Sequence, residues 1–219
     1  MAATVIVADA PWRWSTRFVT LVRRTPLLLA ADGGANHLAR IGVRPAAVIG
    51  DFDSLLPAVR RWVGEERLVL RPDQSKTDLG KAISYAVDER GADRVTILAA
   101  TGGRLDHTVE NLSLLGRWAA RVTIEALEEH VRIVPVCNAG RFPSETGQVV
   151  SLFPLGRCNN VRTRGLRWEL TGTVLDLKGQ TSISNLAEGS EFEVAVDEGP
   201  LLVFLHETAG EGAPVRGTV

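Results

Sequence analysis

Short apolar runs alternate with segments of helical periodicity through the first half of the chain. The runs have the length of buried strands, and the segments between them carry apolar residues at intervals of three and four, as helices packed on a sheet do. The predicted strands are Thr4 to Ala8, Leu27 to Ala31, Ala46 to Ile49, Arg67 to Leu70 and Arg94 to Ala100. The predicted helices are Thr16 to Arg24, Gly34 to Ile41, Pro57 to Val63, Asp78 to Arg90 and Thr108 to Ala119. This βαβ rhythm predicts an α/β domain with a mostly parallel sheet.

The pattern changes near residue 120, where strand-like runs begin to follow one another with turn residues between them. The segment Cys137 to Gly147 is rich in turn formers, so we expect the domain boundary between about 136 and 147. The strand-like runs are Val122 to Leu127, Val131 to Pro135, Gln148 to Phe153, Asn159 to Thr163, Leu166 to Leu170, Val174 to Leu177, Glu191 to Val196 and Leu201 to Leu205. This spacing predicts an α/β domain over residues 1–138, a C-terminal antiparallel β-sandwich over 145–206 and a loose tail over 207–219.

Composition adds only broad limits. The 219 residues are 45% hydrophobic and 23% charged, as in an ordinary globular protein, and the formal net charge of −1 gives no general attraction to nucleic acid or anionic membrane. The start of the chain lacks a secretory pattern, and no run approaches the 18 apolar residues of a membrane span. We therefore expect a cytoplasmic protein with no nucleic-acid or membrane partner.

The most informative polar stretch is Gly50-Asp51-Phe52-Asp53-Ser54, which directly follows a predicted strand. In an open α/β sheet the loops at the carboxyl ends of the strands form the ligand crevice, so two carboxylates there are suited to a hydrated divalent cation. A polar turn in which one Asp accepts backbone hydrogen bonds is the alternative for an isolated motif of this kind.

Three further polar loops follow predicted strands, at residues 31–36, 72–78 and 101–107. The glycine pair of the first loop would let N–H groups approach an anion, and Asp78 of the second offers another carboxylate. In the third loop, Arg104 has a planar fork suited to two phosphate oxygens, and Asp106 could hold metal or position a hydroxyl. Helix capping is the alternative for Thr77, Asp78 and Asp106. Acidic groups with Arg and Lys beside them on consecutive strand ends favour a Mg²⁺ and polyphosphate site over capping alone.

The ordered set of four loops resembles the thiamine pyrophosphokinase (thiamine diphosphokinase) family. The matching stretches are Ala31-Asp32-Gly33-Gly34-Ala35-Asn36, Gly50-Asp51-Phe52-Asp53-Ser54, Asp73-Gln74-x-x-Thr77-Asp78 and Gly103-Arg104-Leu105-Asp106-His107, with Gly165 to Leu170 and Ser182 to Asn185 further on. The resemblance implies an α/β domain followed by a β-sandwich, and a homodimer with active sites at the subunit interface. It also implies transfer of a diphosphoryl group from ATP to the hydroxyl of thiamine, with AMP as the other product.

The resemblance assigns roles by position. It implies Mg²⁺ ligation by Asp51, Asp53 and Asp78, with Arg104 and Asp106 near the phosphates as further catalytic groups. The residues expected to line the ATP site are Asp32, Gly33, Gly34, Asn36, Gln74, Lys76 and Thr77. The residues expected towards thiamine are Trp168, Ser182, Ser184 and Asn185, for which a core aromatic and a polar turn are the alternatives.

The chain departs from the family pattern at its first strand end, where Trp12 and Trp14 follow Pro11 in place of a glycine-containing turn. Three other functions stay open on these residues. The first is a diphosphokinase for another hydroxymethyl heterocycle such as a pterin. The second is a non-catalytic sensor of nucleotide or thiamine diphosphate, and the third is a metal-dependent phosphohydrolase.

Overall fold

The apolar runs of the first half of the chain form parallel strands, as their pattern predicts. The computed structural model describes residues 3–207, and the strands up to residue 129 are β1 (Ala3–Val7), β2 (Leu27–Ala31), β3 (Ala47–Gly50), β4 (Leu68–Leu70), β5 (Arg94–Leu98) and β6 (Thr123–Leu127). They lie in the order β6-β5-β1-β2-β3-β4, and every neighbouring pair is parallel. The chain builds outward from β1 to β4 and then returns to the other side of β1, which creates a topological switch point beside β1.

The segments of helical period form the helices between these strands. They are α1 (Thr16–Arg24), α2 (Gly34–Arg40), α3 (Pro57–Val63), α4 (Asp78–Ser84) and α5 (Leu105–Trp118). The predicted helix Asp78 to Arg90 ends its α-helical part at Ser84 and continues as a π-helical turn, Tyr85–Glu89. Helix α5 begins three residues before its predicted start, so Asp106 lies in its first turn. None of the helices within residues 3–207 combines the length and the hydropathy that a membrane crossing requires.

The two tryptophans that depart from the family pattern pack against the core of the first unit. The centroid of the Trp12 ring lies 4.8 Å from that of the Phe18 ring in α1 and 6.1 Å from that of the Trp14 ring, and the two indoles are edge to face. The Trp14 indole N–H donates to the main-chain oxygen of His37 in α2 at 3.0 Å. These contacts give the segment after β1 a structural role, because they join it to two helices.

The second unit begins at His130 and is entirely antiparallel in its described strands. Its strands are β7 (Val131–Val136), β8 (Ala139–Pro143), β9 (Val149–Pro154), β10 (Cys158–Arg164), β11 (Thr171–Leu175), β12 (Ser182–Leu186), β13 (Glu191–Ala195) and β14 (Leu201–His206). One sheet has the order β7-β14-β9-β12 and the other β8-β13-β10-β11. Buried residues of both sheets, among them Leu152, Phe192 and Val203, form one core. The predicted α/β domain followed by an antiparallel β domain is confirmed.

Some local predictions in the second unit are wrong. Leu166 to Leu170 is not a strand, because the chain turns at Gly165 with φ +83° and only Leu166 makes an isolated bridge. Strands β8 and β12 were not expected, since their sequences contain turn-forming residues. The domain limits 1–138, 145–206 and 207–219 stay a prediction. Strand β7, which lies within 1–138, belongs to the second unit. Residues 208–219 lie outside the described part of the chain.

Gly34 gives a test of how closely α2 packs on β1. A Cβ at this position would overlap the carbonyl oxygen of Val7. A Gly to Ala change inside a helix ordinarily raises the free energy of unfolding by about 0.5–1 kcal/mol. We therefore expect Gly34→Ala to lower the free energy of unfolding by about 2 kcal/mol or more, because the clash is with backbone. Urea unfolding measures this, with Gly156→Ala, which meets no atom within 4 Å, as the matched control. Equal stability of the two variants would contradict the prediction.

Candidate active site

Three aspartates converge at the carboxyl ends of β2 and β3 and at the start of α4. One carboxylate oxygen from each of Asp32, Asp51 and Asp78 lies within 4.8 Å of the others. Gly50 permits this approach, because a Cβ there would lie 2.9 Å from the Asp32 Cβ and 3.2 Å from Asp78 Oδ1. We call these three residues the acidic group. Carboxylate oxygens are the ligands that Mg²⁺ prefers in proteins, so the donor set fits that ion.

Asp32 is the buried member of the acidic group, with 1% of its surface exposed. The main-chain N–H of Ser54 donates to Oδ2 at 3.4 Å, while Oδ1 is buried without a hydrogen-bond partner in the described residues. Burial and, to a smaller extent, the neighbouring carboxylates raise the pKa of Asp32 to about 7, although the hydrogen bond from the Ser54 N–H lowers it. A buried carboxylate oxygen with no donor is costly unless a proton or a cation reaches it, which supports a cation at this position.

Lys81 supplies a positive charge inside the acidic group that sequence reasoning missed. Its side chain is 5% exposed, and Nζ lies 2.8 Å from Asp78 Oδ1 and 3.8 Å from Asp51 Oδ2. The signal was available, because positions three apart on a helix share a face and Lys81 follows Asp78 by three residues. The ammonium offsets part of the repulsion between the carboxylates.

The two acids of the Gly50 to Ser54 loop have different surroundings. The side chain of Gln74 donates to Asp51 Oδ2 at 2.8 Å, and this hydrogen bond is the largest cause that lowers the pKa of Asp51. Asp53 is exposed, and its Oδ1 accepts from the Ser54 hydroxyl at 3.0 Å. Asp53 therefore lies beside the acidic group without belonging to it, and its place among the metal ligands stays a prediction.

Other residues predicted for the phosphate site hold the loops in place. Thr77 caps α4, since its hydroxyl accepts from the N–H of Gly80 at 3.3 Å. The Asn36 amide donates to the Ser54 carbonyl at 2.9 Å and accepts from the N–H of Leu56 at 3.1 Å, so it fastens the loop after β3 to α2. The Lys76 side chain is exposed.

A cavity of about 260 Å³ lies at the switch point of the sheet, bounded by the strand ends of β1, β2 and β5. Asp32, Asp78, Gly103 and Arg104 are among the residues that line it. Asp9, which sequence reasoning did not select, also lines it, packed against Gly33 with His37 Nε2 at 3.8 Å. Burial and the charge of Asp78 raise the pKa of Asp9.

Arg104 and Asp106 are paired with each other at the start of α5. The guanidinium donates through Nε and a terminal nitrogen to both Asp106 oxygens, and this contact lowers the pKa of Asp106 to about 2. Both side chains are more than half exposed, so the pair can rearrange when a phosphate competes for the guanidinium.

The candidate residues of the second unit form a separate cluster. Asn185 is 2% exposed, and its amide accepts from the Trp168 N–H at 3.1 Å and donates to the Trp168 carbonyl at 2.7 Å. The Trp168 ring is exposed, with the Arg167 guanidinium 5.8 Å from its centroid. Ser184 has φ +59° and its N–H donates to the Ser151 hydroxyl, while the nearby Ser182 is partly buried. Asn185 thus fixes the main chain that presents an exposed indole.

Comparison with known proteins gives consistent matches over both units. Residues 18–126 match the family model for the thiamin pyrophosphokinase catalytic domain, and residues 141–201 match that for the thiamin pyrophosphokinase vitamin B1 binding domain. The chain is 30% identical to thiamine pyrophosphokinase 2 of Arabidopsis thaliana over 231 residues, which cover 90% of this chain and 86% of that protein. It is 28% identical to thiamine pyrophosphokinase 1 of Oryza sativa subsp. japonica, with coverage of 83% and 80%.

Solved structures share the fold. The crystal structure of thiamine pyrophosphokinase from Bacillus subtilis superposes with a TM-score of 0.80 at 22% identity, covering 94% of this chain and 99% of that chain. Thiamin pyrophosphokinase from Geobacillus thermodenitrificans gives a TM-score of 0.78 at 26% identity, covering 95% and 99%.

The raised pKa of Asp32 predicts a pH-dependent cost to stability. The folded state holds a proton that the unfolded chain releases near pH 4, so stability is lost as the pH rises from 4 through about 7. In EDTA at pH 8, we expect the free energy of unfolding of Asp32→Asn to exceed that of the parent by about 2–4 kcal/mol. Near pH 4 we expect little difference between the two proteins.

Urea unfolding at the two pH values measures the effect. Asp73→Asn is the matched control, because its effect on stability should have the opposite sign. The hydrogen bond from the N–H of Ser75 lowers the pKa of Asp73, so loss of this carboxylate reduces the free energy of unfolding above pH 4. A less stable Asp32→Asn variant at pH 8 would contradict the prediction.

Proposed function

Because the chain belongs to the thiamine pyrophosphokinase family, we propose that it transfers a diphosphoryl group from ATP to the hydroxyl of thiamine. The products are thiamine diphosphate and AMP. The observation that carries the proposal is the acidic group beside the cavity at the switch point, within a chain that matches both domains of the family. Carboxylates in such number next to a polyanion site call for a divalent cation.

The residues that would hold Mg²⁺ are Asp32, Asp51 and Asp78, with the exposed Asp53 as a further candidate. A bound Mg²⁺ neutralises charge on polyphosphate oxygens during the transfer. The unpartnered Oδ1 of Asp32 supports this assignment, because it faces no donor among the described residues. Lys81 limits the repulsion between the acids before a cation binds.

The chain contributes mainly position and charge to the transfer. The thiamine oxygen attacks the β-phosphorus, and the bond between the β-phosphorus and the oxygen that bridges it to the α-phosphorus breaks. AMP leaves with that bridging oxygen, while the hydroxyl proton goes to solvent or to a carboxylate. Arg104 would exchange its Asp106 partner for phosphate oxygens and so stabilise charge in the transition state. Asp106, with a pKa of about 2, is a weak base while it is paired, and Asp78 is engaged by Lys81 and assigned to the cation, so we assign no dedicated general base to the transfer.

The acceptor would be recognised by the second unit. The exposed Trp168 indole is suited to stack on an aromatic heterocycle, while the buried Asn185 holds its main chain. Ser182 and Ser184 could then supply polar contacts. We further propose a homodimer with active sites at the subunit interface and a cytoplasmic location, as the family resemblance and the sequence favour.

Release of AMP tests the function and its metal ligands. Purified protein with Mg²⁺ and ATP should release AMP only when thiamine is added, and Asp51→Asn should lower kcat at least about 100-fold, because a preorganised charge contact is lost. Asp73→Asn, an exposed acid that is hydrogen-bonded within its own loop, is the matched control and should stay within about threefold.

The rival functions give different results in the same assay. A pterin alcohol that outcompetes thiamine would favour a different acceptor, ATP hydrolysis without acceptor would favour a phosphohydrolase, and binding without turnover would favour a sensor. Full activity of Asp51→Asn would overturn the assigned metal role.

Cation binding can be measured without turnover. Saturating Mg²⁺ should stabilise the parent by about 1–3 kcal/mol in urea unfolding, as expected for a ligand at about 10 to 100 times its Kd. Asp78→Asn should lose most of this gain, whereas Asp73→Asn should keep it. The assignment of Asp78 as a ligand would be wrong if all three proteins gained equally.

A further inference from the structure

The loop between β5 and α5 carries backbone strain. Ala99 has φ +57°, a region that costs a non-glycine residue about 1–2 kcal/mol, and Gly102 has φ +90°. The loop brings Ala100, Gly103 and Arg104 to the wall of the cavity. A strained conformation persists only when its surroundings hold it, so the groups that hold this loop matter for the site.

Glu128 holds the loop through its main chain. One carboxylate oxygen, Oε1, accepts from the N–H of Ala100 at 3.0 Å and from the N–H of Thr101 at 3.1 Å. The buried side chain of Asn111 donates to the carbonyl of Ala100 at 2.8 Å, and the N–H of Ala10 donates to the carbonyl of Ala99 at 3.1 Å. Successive peptide groups of the loop are therefore fixed by the residue that follows β6, by α5 and by the segment after β1.

Burial of the Glu128 carboxylate costs folding free energy when the group is ionised. Glu128 is half-buried, and burial raises its pKa to about 7 although the hydrogen bonds from Ala100 and Thr101 lower it. Its described partners are N–H and hydroxyl groups of the loop, so the glutamate does not serve as one half of an ion pair there. A carboxylate that costs stability and whose hydrogen bonds go to the cavity loop is better explained by positioning than by folding.

We propose that Glu128 is a positioning residue that holds the loop Ala99 to Gly103 in the conformation that presents Gly103 and Arg104 to the phosphates of the substrate. This rests on the proposed diphosphoryl transfer. Glu128 does not touch the reacting atoms; it acts through the two N–H groups. Its loss should therefore affect the rate of transfer more than the binding of thiamine.

The test compares Glu128→Ala, which removes the acceptor, with Glu128→Gln, whose amide oxygen can still accept both N–H groups. We expect Glu128→Ala to lower kcat about 10- to 100-fold, with KM for thiamine within about twofold, because misplacement of a positioning loop weakens transition-state contacts. Glu128→Gln should restore kcat to within about fivefold. Glu66→Gln, a change at an exposed glutamate that does not line the cavity, is the matched control and should behave as the parent.

Amide hydrogen exchange gives a readout independent of turnover. In Glu128→Ala the N–H groups of Ala100 and Thr101 should lose at least about tenfold in protection, and in Glu128→Gln they should keep it. If Glu128→Ala fails to fold, Glu128→Asp replaces it, since the shorter side chain withdraws the acceptor and should lose both protection and kcat.

Two results would overturn the proposal: unchanged protection in Glu128→Ala, or lost protection with unchanged kcat. If the parent protein releases no AMP, the proposed function fails, and exchange at Ala100 and Thr101 still decides whether Glu128 holds the loop.

Discussion

Repulsion between the three carboxylates of the acidic group is the constraint on which the first unit depends. At a separation near 5 Å and an effective dielectric constant near 20, each pair of ionised acids costs about 3 kcal/mol. The fold holds them together because Asp32 and Asp51 follow adjacent parallel strands, and Gly50 lets Asp78 approach. Lys81 offsets part of the cost, and burial together with the remaining repulsion raises the pKa of Asp32.

Backbone strain at neighbouring strand ends reflects the same demand. Asp32, Phe52 and Ala99 are non-glycine residues with positive φ, and each lies just beyond β2, β3 or β5. A left-handed residue turns the chain sharply, so the next groups point across the strand ends instead of continuing the sheet. The buried parallel strands that precede these turns supply the packing that offsets their cost.

Periodicity predicted most of the first unit because a buried parallel sheet with covering helices repeats its apolar pattern at short range. It failed at Leu166 to Leu170, where a stretch of alternating apolar and charged residues follows a turn at Gly165 and does not form a strand. In the site, Lys81 could have been found from its spacing to Asp78. Glu128 could not, because its partners are main-chain N–H groups 27 and 28 residues away, and no side-chain pattern along the sequence reports them.

Under the proposed function, the second unit recognises the acceptor and the phosphate chemistry belongs to the first unit. Asn185 was expected to contact substrate, yet both ends of its buried amide are engaged by the main chain of Trp168. A residue used in this way controls where the indole stands but leaves its outer face open to a ligand. Substitution of exposed residues such as Ile183 and Ser184 could then alter which acceptor is preferred, without disturbing the acids of the first unit. Under the proposed function, the parallel sheet fixes the transfer chemistry while acceptor specificity depends on the β domain.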